Sequence, residues 1–130
     1  MKNHITFLKV RYSETDQMGF VHHSNYAQYL EVARLEWLEK LGISYKWMEE
    51  NGVMLPVYNL QTTFKKSALF DDTLKIVTSL RATPTVRITF DYEVFNQDDD
   101  LLTIASTELI FINTENGRPM RCPQYILDKI

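Results

Sequence analysis

The spacing of apolar positions changes period twice along the chain, and those changes predict the order of elements. Ile5 and Phe7, then Leu8, Val10 and Tyr12, recur at strand-like intervals and predict an opening strand. Residues 13–25 lose that periodicity and fill with Asp, Gly, His and Ser. From Tyr26 to Leu41 the period is helical. Placed about 100° apart, Tyr26, Ala27, Leu30, Ala33, Trp37, Leu38 and Leu41 share one arc, with Gln28, Glu31, Glu36, Glu39 and Lys40 opposite. Ser24 stands where an N-cap belongs and Gly42 where a left-handed C-cap belongs. A second, short helix is predicted from Ser44 to about Asn51, stopped by Gly52. Strands follow. Val86, Ile88, Phe90, Tyr92 and Val94 alternate with Thr85, Arg87, Thr89, Asp91 and Glu93, the pattern of a half-buried antiparallel strand. Rougher runs cover 53–64, 73–82 and 101–113, separated by turn residues at 69–72, 83–84 and 96–100, with a last turn at Asn116 and Gly117.

Strands of about ten residues reach about 33 Å, longer than a helix of about sixteen residues at about 24 Å. A sheet of that length can curl round the helix. The expected fold is α+β: a long central helix wrapped by a curved antiparallel sheet of five to six strands, in a single domain spanning 1–130. Exposed sheet edges would call for a second subunit, so a homodimer is expected.

Composition narrows the partners. With 130 residues, 45% of them hydrophobic, there is room for one core, and no apolar stretch approaches the about 18 residues of a membrane span. The alternation of polar and apolar residues from Met1 to Val10 reads as no signal peptide. A formal net charge of -3 offers no field to gather a nucleic-acid backbone, which argues against a nucleic-acid module. The lone Cys122 cannot close an intramolecular disulfide and points to a reducing, cytoplasmic setting. Paired with a His it would make a nucleophile on paper, but a single Cys is more often a small core residue.

The chemistry concentrates in residues 13–25, which bring Asp16, Gly19, His22 and His23 onto a helix N-terminus. The first N–H groups of a helix lack partners and carry the positive end of its dipole, so an oxyanion placed there is stabilised without a cation. A carboxylate beside such a site suits acyl transfer, as general base on water or as direct nucleophile. The plainer roles are a turn-capping Asp16 and a Gly19 that permits positive φ. His22 and His23 are consecutive, so their side chains are expected to diverge. They lack the i, i+4 facing of helical ligand pairs, and with Asp16 they are not read as a metal site. No cofactor is expected.

These residues carry a resemblance. The segment Asp16-x-x-Gly19-x-Val21-x-His23-x-x-Tyr26, opening a helix that continues Tyr29-Leu30-Glu31-x-Ala33-Arg34, resembles the signature of the hotdog-fold acyl-CoA thioesterases. The branch it suggests is 4-hydroxybenzoyl-CoA thioesterase-like and includes the Tol-Pal-associated acyl-CoA thioesterases. The turn Phe70-Asp71-Asp72-x-Leu74 and the ending from Pro119 to Pro123 also match, so the likeness covers nearly the whole chain. It implies the same wrapped helix, hydrolysis of acyl-CoA to acid and CoA, and dimers or tetramers with active sites between subunits. Asp16 matches the catalytic carboxylate and the His23 N–H the group that polarises the thioester carbonyl. The His23 side chain matches an assisting histidine of the Tol-Pal-associated branch, which implies an aliphatic rather than a 4-hydroxybenzoyl group. Gly19, Val21 and Tyr26 belong to the substrate site through the motif, Tyr26 with core packing as its simpler role. His22 stands where relatives often carry an aromatic and would line the acyl pocket. An Arg-rich run that some relatives use for CoA is represented near 81–85 only by Arg81, leaving Lys65, Lys66 and Arg87 as candidates for the phosphates.

A thiol leaving group with a pKa of about 8.5 departs as thiolate, so a base and an oxyanion hole suffice. Glu31 is the fallback carboxylate, at i, i+3 from Arg34 in an expected ion pair. The rival class is a non-catalytic hotdog module that binds acyl thioesters or a protein partner, against which Asp16, Gly19 and His23 argue. A dehydratase motif is not seen.

Overall fold

The computed structural model describes residues 3–130; Met1 and Lys2, the first residues of the segment read as no leader, lie outside them. The chain runs β1 (His4–Lys9), α1 (Tyr26–Lys40), α2 (Tyr45–Glu50), β2 (Val53–Met54), β3 (Val57–Phe64), β4 (Thr73–Leu80), β5 (Arg87–Phe95), β6 (Leu101–Ile110), β7 (Ile112–Asn113), β8 (Arg118–Pro119) and α3 (Gln124–Leu127). Two 3-10 turns, Tyr12–Glu14 and His23–Asn25, shape the loop between β1 and α1. A five-stranded sheet has the order β1-β4-β5-β6-β3, every neighbouring pair antiparallel, and β2-β7-β8 form a small second sheet.

Helix α1 lies against the five-stranded sheet. Its buried side is Tyr26, Tyr29, Leu30, Ala33, Arg34, Trp37 and Leu38. All of them but Arg34 join Leu74 and Ile76 of β4 and Ile88, Phe90, Tyr92 and Val94 of β5 in one apolar cluster, with the Trp37 and Phe90 rings edge to face at 5.1 Å. The helix and the β5 alternation therefore follow the expected pattern. Gly42 closes α1 at φ +82, and the Ser44 hydroxyl accepts the Trp47 N–H at the start of α2.

Several local expectations are corrected. In β1 the inward residue is Thr6, while Ile5 and Phe7 lie on the outer face at 47% and 65% exposure. On the inner face His4 and Thr6 point toward Glu36 of α1, with His4 Nε2 3.3 Å from Glu36 Oε1. Ala27 is exposed, and Val86 precedes β5 rather than packing in it. The run 53–64 breaks at Pro56, which has no N–H for a ladder, so its halves join different sheets. The run 101–113 breaks at Phe111, whose side chain is fully buried and whose N–H pairs with the Val86 carbonyl at 3.0 Å. Ser24 is not the N-cap: it lies inside the 3-10 turn that leads into α1, and His22 caps that turn.

The helix is held by its apolar face, so its loss should be costly. Leu30 is fully buried at the centre of that face, and Leu30→Ala is expected to lower stability by about 2–5 kcal/mol. Urea denaturation should show this as a lower midpoint at unchanged slope.

Candidate active site

The loop between β1 and α1 is built on Glu14. Its side chain is buried, and Oε1 accepts the Arg11 N–H at 2.8 Å and the Tyr29 hydroxyl at 2.8 Å. Oε2 accepts Arg11 Nε at 3.1 Å and Nη2 at 3.0 Å. The Glu14 carbonyl in turn accepts the His22 N–H and Asn25 Nδ2, each at 2.9 Å. One residue thus ties the start of the loop, its end and α1 together. Burial by itself would raise the Glu14 carboxyl pKa, but the Arg11 amide, the Tyr29 hydroxyl and the Arg11 guanidinium outweigh it and hold it below the usual value. Burial first, and then the Glu14 carboxylate, push the Tyr29 phenol up.

Between these anchors the chain makes a tight reversal. The Asp16 N–H donates to the Phe20 carbonyl at 2.7 Å and the Gly19 N–H to the Asp16 carbonyl at 3.0 Å. Gly19 has φ +81 with open space where a Cβ would sit, so glycine is required for its backbone conformation and not for room. Asp16 Oδ1 accepts the Met18 N–H at 2.8 Å and the Phe20 N–H at 3.2 Å. The turn-capping role weighed for Asp16 is therefore present, but it occupies one oxygen. Oδ2 takes no part in those bonds.

Asp16, Val21, His22, His23, Tyr26, Lys65 and Lys66 are brought together around one cleft of about 320 Å³, with Phe20, Phe64 and Ser67 completing its lining. Gly19 is in the turn and not on the wall. Phe64 and Ser67 were not picked out by sequence, although they flank the lysine pair that was. Arg87 lies elsewhere, bonded to Glu108 at 3.0 Å and stacked over Tyr58. Tyr26 is buried edge to face with Phe64 at 5.0 Å, so it lines the cleft from the core. Lys66 donates to Asp100 Oδ2 at 2.6 Å, a bond that raises the lysine pKa and lowers that of Asp100.

The two imidazoles do not diverge. They stack with centroids 4.3 Å apart and planes 30° apart, because His22 is extended while His23 begins the 3-10 turn. The His23 N–H, at the front of that turn, donates in none of the hydrogen bonds found among the described residues. It stands in the 3-10 turn that leads into α1.

Glu31 and Arg34 form the expected ion pair, at 3.7 Å, with Arg34 buried and Glu31 exposed. Both line a different cavity of about 300 Å³, between α1, Tyr45 and the sheet, so Glu31 does not share the Asp16 cleft. Cys122 is buried, and burial pushes its thiol up to about 11, which leaves it a core residue and not a nucleophile. Among the described residues no three His, Cys, Asp or Glu are grouped to hold a metal ion, and no helix is long and apolar enough to cross a membrane.

A long helix laid against a curved antiparallel sheet is the hotdog architecture of thioesterases. The chain belongs to the thioesterase-like superfamily, whose profile matches residues 10–130. The crystal structure of a DHNA-CoA thioesterase from Staphylococcus aureus is 41% identical with a TM-score of 0.92, covering 98% of this chain and 86% of that one. YneP of Bacillus subtilis (strain 168) is 32% identical over 114 residues, 88% of this chain and 83% of YneP. The acyl-CoA thioester hydrolase YbgC of Escherichia coli O157:H7 is 25% identical over 120 residues, 92% of this chain and 90% of YbgC.

The Glu14 clasp generates a pH prediction. Its carboxyl pKa is lower folded than unfolded, so the clasp stabilises the fold above the ordinary carboxylate pKa of about 4.3, and that stabilisation is lost as pH falls through the folded value. Glu14→Gln is expected to cost about 1–3 kcal/mol at pH 7. In thermal unfolding followed from pH 7 to pH 3, the gap between the two proteins should close as the wild-type carboxylate protonates.

Proposed function

We propose that the protein hydrolyses an acyl-CoA thioester to the free acid and CoA, with Asp16 as general base or nucleophile. The observation that carries this reading is one cleft in which Asp16, with one oxygen held by the turn, shares the wall with His23, whose N–H donates in none of the hydrogen bonds found among the described residues. Relatives named for acyl-CoA and DHNA-CoA hydrolysis support it.

In the base route Asp16 takes a proton from water as the water oxygen bonds to the carbonyl carbon. Charge gathers on the carbonyl oxygen, where the His23 N–H and the helix dipole stabilise it, and collapse expels the CoA thiolate. The His23 imidazole orients water or Asp16. In the nucleophile route the Asp16 carboxylate itself attacks, expels the thiolate, and the resulting mixed anhydride is opened by water. Lys65 and Lys66, on the cleft wall, are the cations available to the CoA phosphates, with Lys66 already committed to Asp100.

The reading includes a homodimer, singly or paired into a tetramer. Strand β3 is a sheet edge, and its Val57, Tyr58, Leu60 and Phe64 are all exposed, an apolar edge that a second copy would cover. The lone buried thiol suits a reducing, cytoplasmic setting.

Asp16→Asn is expected to lower kcat by about a thousandfold on the best substrate of a panel of aliphatic and aromatic acyl-CoAs, read by release of free thiol. Near wild-type turnover by Asp16→Asn would overturn the assignment, and no CoA release by the wild type from any of them would favour a binding module. Single turnover in isotopically labelled water separates the routes, since label in the Asp16 carboxylate requires the covalent one. For assembly, Leu60→Glu is expected to weaken self-association at least about tenfold in sedimentation velocity. A wild-type monomer at micromolar concentration would exclude the dimer.

A further inference from the structure

Two contacts converge on one ring atom at the head of α1. The Ser24 N–H points at His22 Nδ1 at 3.2 Å, and Ser24 Oγ lies 2.8 Å from the same nitrogen. The peptide plane sets the direction of a backbone N–H, whereas a hydroxyl proton rotates to suit its partner. A proton on Nδ1 would meet the Ser24 N–H head on. Nδ1 is therefore the acceptor, and the ring proton sits on Nε2.

His22 is committed on its backbone as well. Its N–H donates to the Glu14 carbonyl at 2.9 Å, and its own carbonyl accepts the Asn25 N–H at 3.0 Å and Asn25 Nδ2 at 3.3 Å. The residue joins the Glu14 clasp to the turn His23–Asn25, and its ring lies on the His23 ring. We infer that His22, as the neutral Nε2–H tautomer, is a positioning residue: its Nδ1 caps the turn from which His23 presents both its N–H and its imidazole to the cleft. The inference rests on the hydrolase reading, and it gives His22 a role apart from lining an acyl pocket.

The cap has a chemical condition. A proton added at Nδ1 removes the acceptor from the Ser24 N–H and sets a positive charge against the His23 ring. Asp16, His23, Tyr26, Lys65 and Lys66 are the titratable groups that share the cleft with His22. The turn holds its shape with the ring neutral.

Two variants separate the acceptor from the ring. Asn brings a side-chain oxygen that caps helices well, while Phe keeps an aromatic ring over His23 and has no acceptor. We expect kcat of His22→Phe to fall at least about tenfold below that of His22→Asn, with KM of the two within about threefold, since misplacement of His23 acts on the chemical step. In 15N spectra of the wild-type protein, the His22 signals, assigned by their loss in His22→Asn, should show a bare Nδ1 and a protonated Nε2. A protonated Nδ1 at neutral pH, or a His22→Phe enzyme as fast as His22→Asn, would overturn the inference. Should the wild type release no CoA, the hydrolase reading fails, and the ring-nitrogen spectrum still decides the cap.

Discussion

A single buried carboxylate holds the working end of this molecule together. Glu14 sits in the core with four donors on its two oxygens, and that count makes its burial tolerable: a carboxylate taken out of water without partners would protonate or unfold the loop. Because one donor is the Tyr29 hydroxyl of α1 and two acceptor bonds leave its carbonyl for His22 and Asn25, the clasp fixes the loop against the helix at both ends. The Asp16 reversal is then a short excursion between fixed points. Its geometry is set by Gly19 and by two amides on Oδ1.

Charge around the cleft is arranged with similar economy. The chain is acidic overall, yet Lys65 and Lys66 reach the wall that faces Asp16 and the histidines. Lys66 is held by Asp100 from the β5–β6 turn, so its position is structural as much as electrostatic, and its exposure keeps the strength of that ion pair small. The stacked imidazoles add polar ring edges to the same wall. On the proposed hydrolysis, a helix dipole, the His23 N–H and a carboxylate would suffice for a leaving group that departs readily as thiolate.

Much of the fold was legible because its signals are local. The α1 arc, Gly42, Ser44 at α2 and the alternation of Ile88, Phe90, Tyr92 and Val94 each follow from neighbours a few residues away. The Asp16 to Tyr26 motif was legible for the same reason. What escaped depended on partners far along the chain. Ile5 and Phe7 look like core, but Thr6 faces Glu36, and no property of residues 4–9 alone announces that contact. Phe64 and Ser67 joined the cleft only because β3 ends beside Val21 and Tyr26. Glu14 passed as one more polar loop residue, since its role requires the buried Tyr29 of α1 to meet it, fifteen residues on.

By itself, then, the sequence determined the helix, the strands, the glycine that the Asp16 turn requires and the cluster of reactive groups at the helix head. These rest on backbone preference and on periodicity, which act over a few residues. Only the tertiary structure decided which face of β1 turns inward, that His22 and His23 stack instead of diverging, that Glu31 belongs to a separate cavity, and that a buried Glu14 binds loop to helix. Each of those depends on how segments distant in sequence meet, and for Glu14 the reason is desolvation: a buried carboxylate goes where its donors are met, and one of them comes from α1.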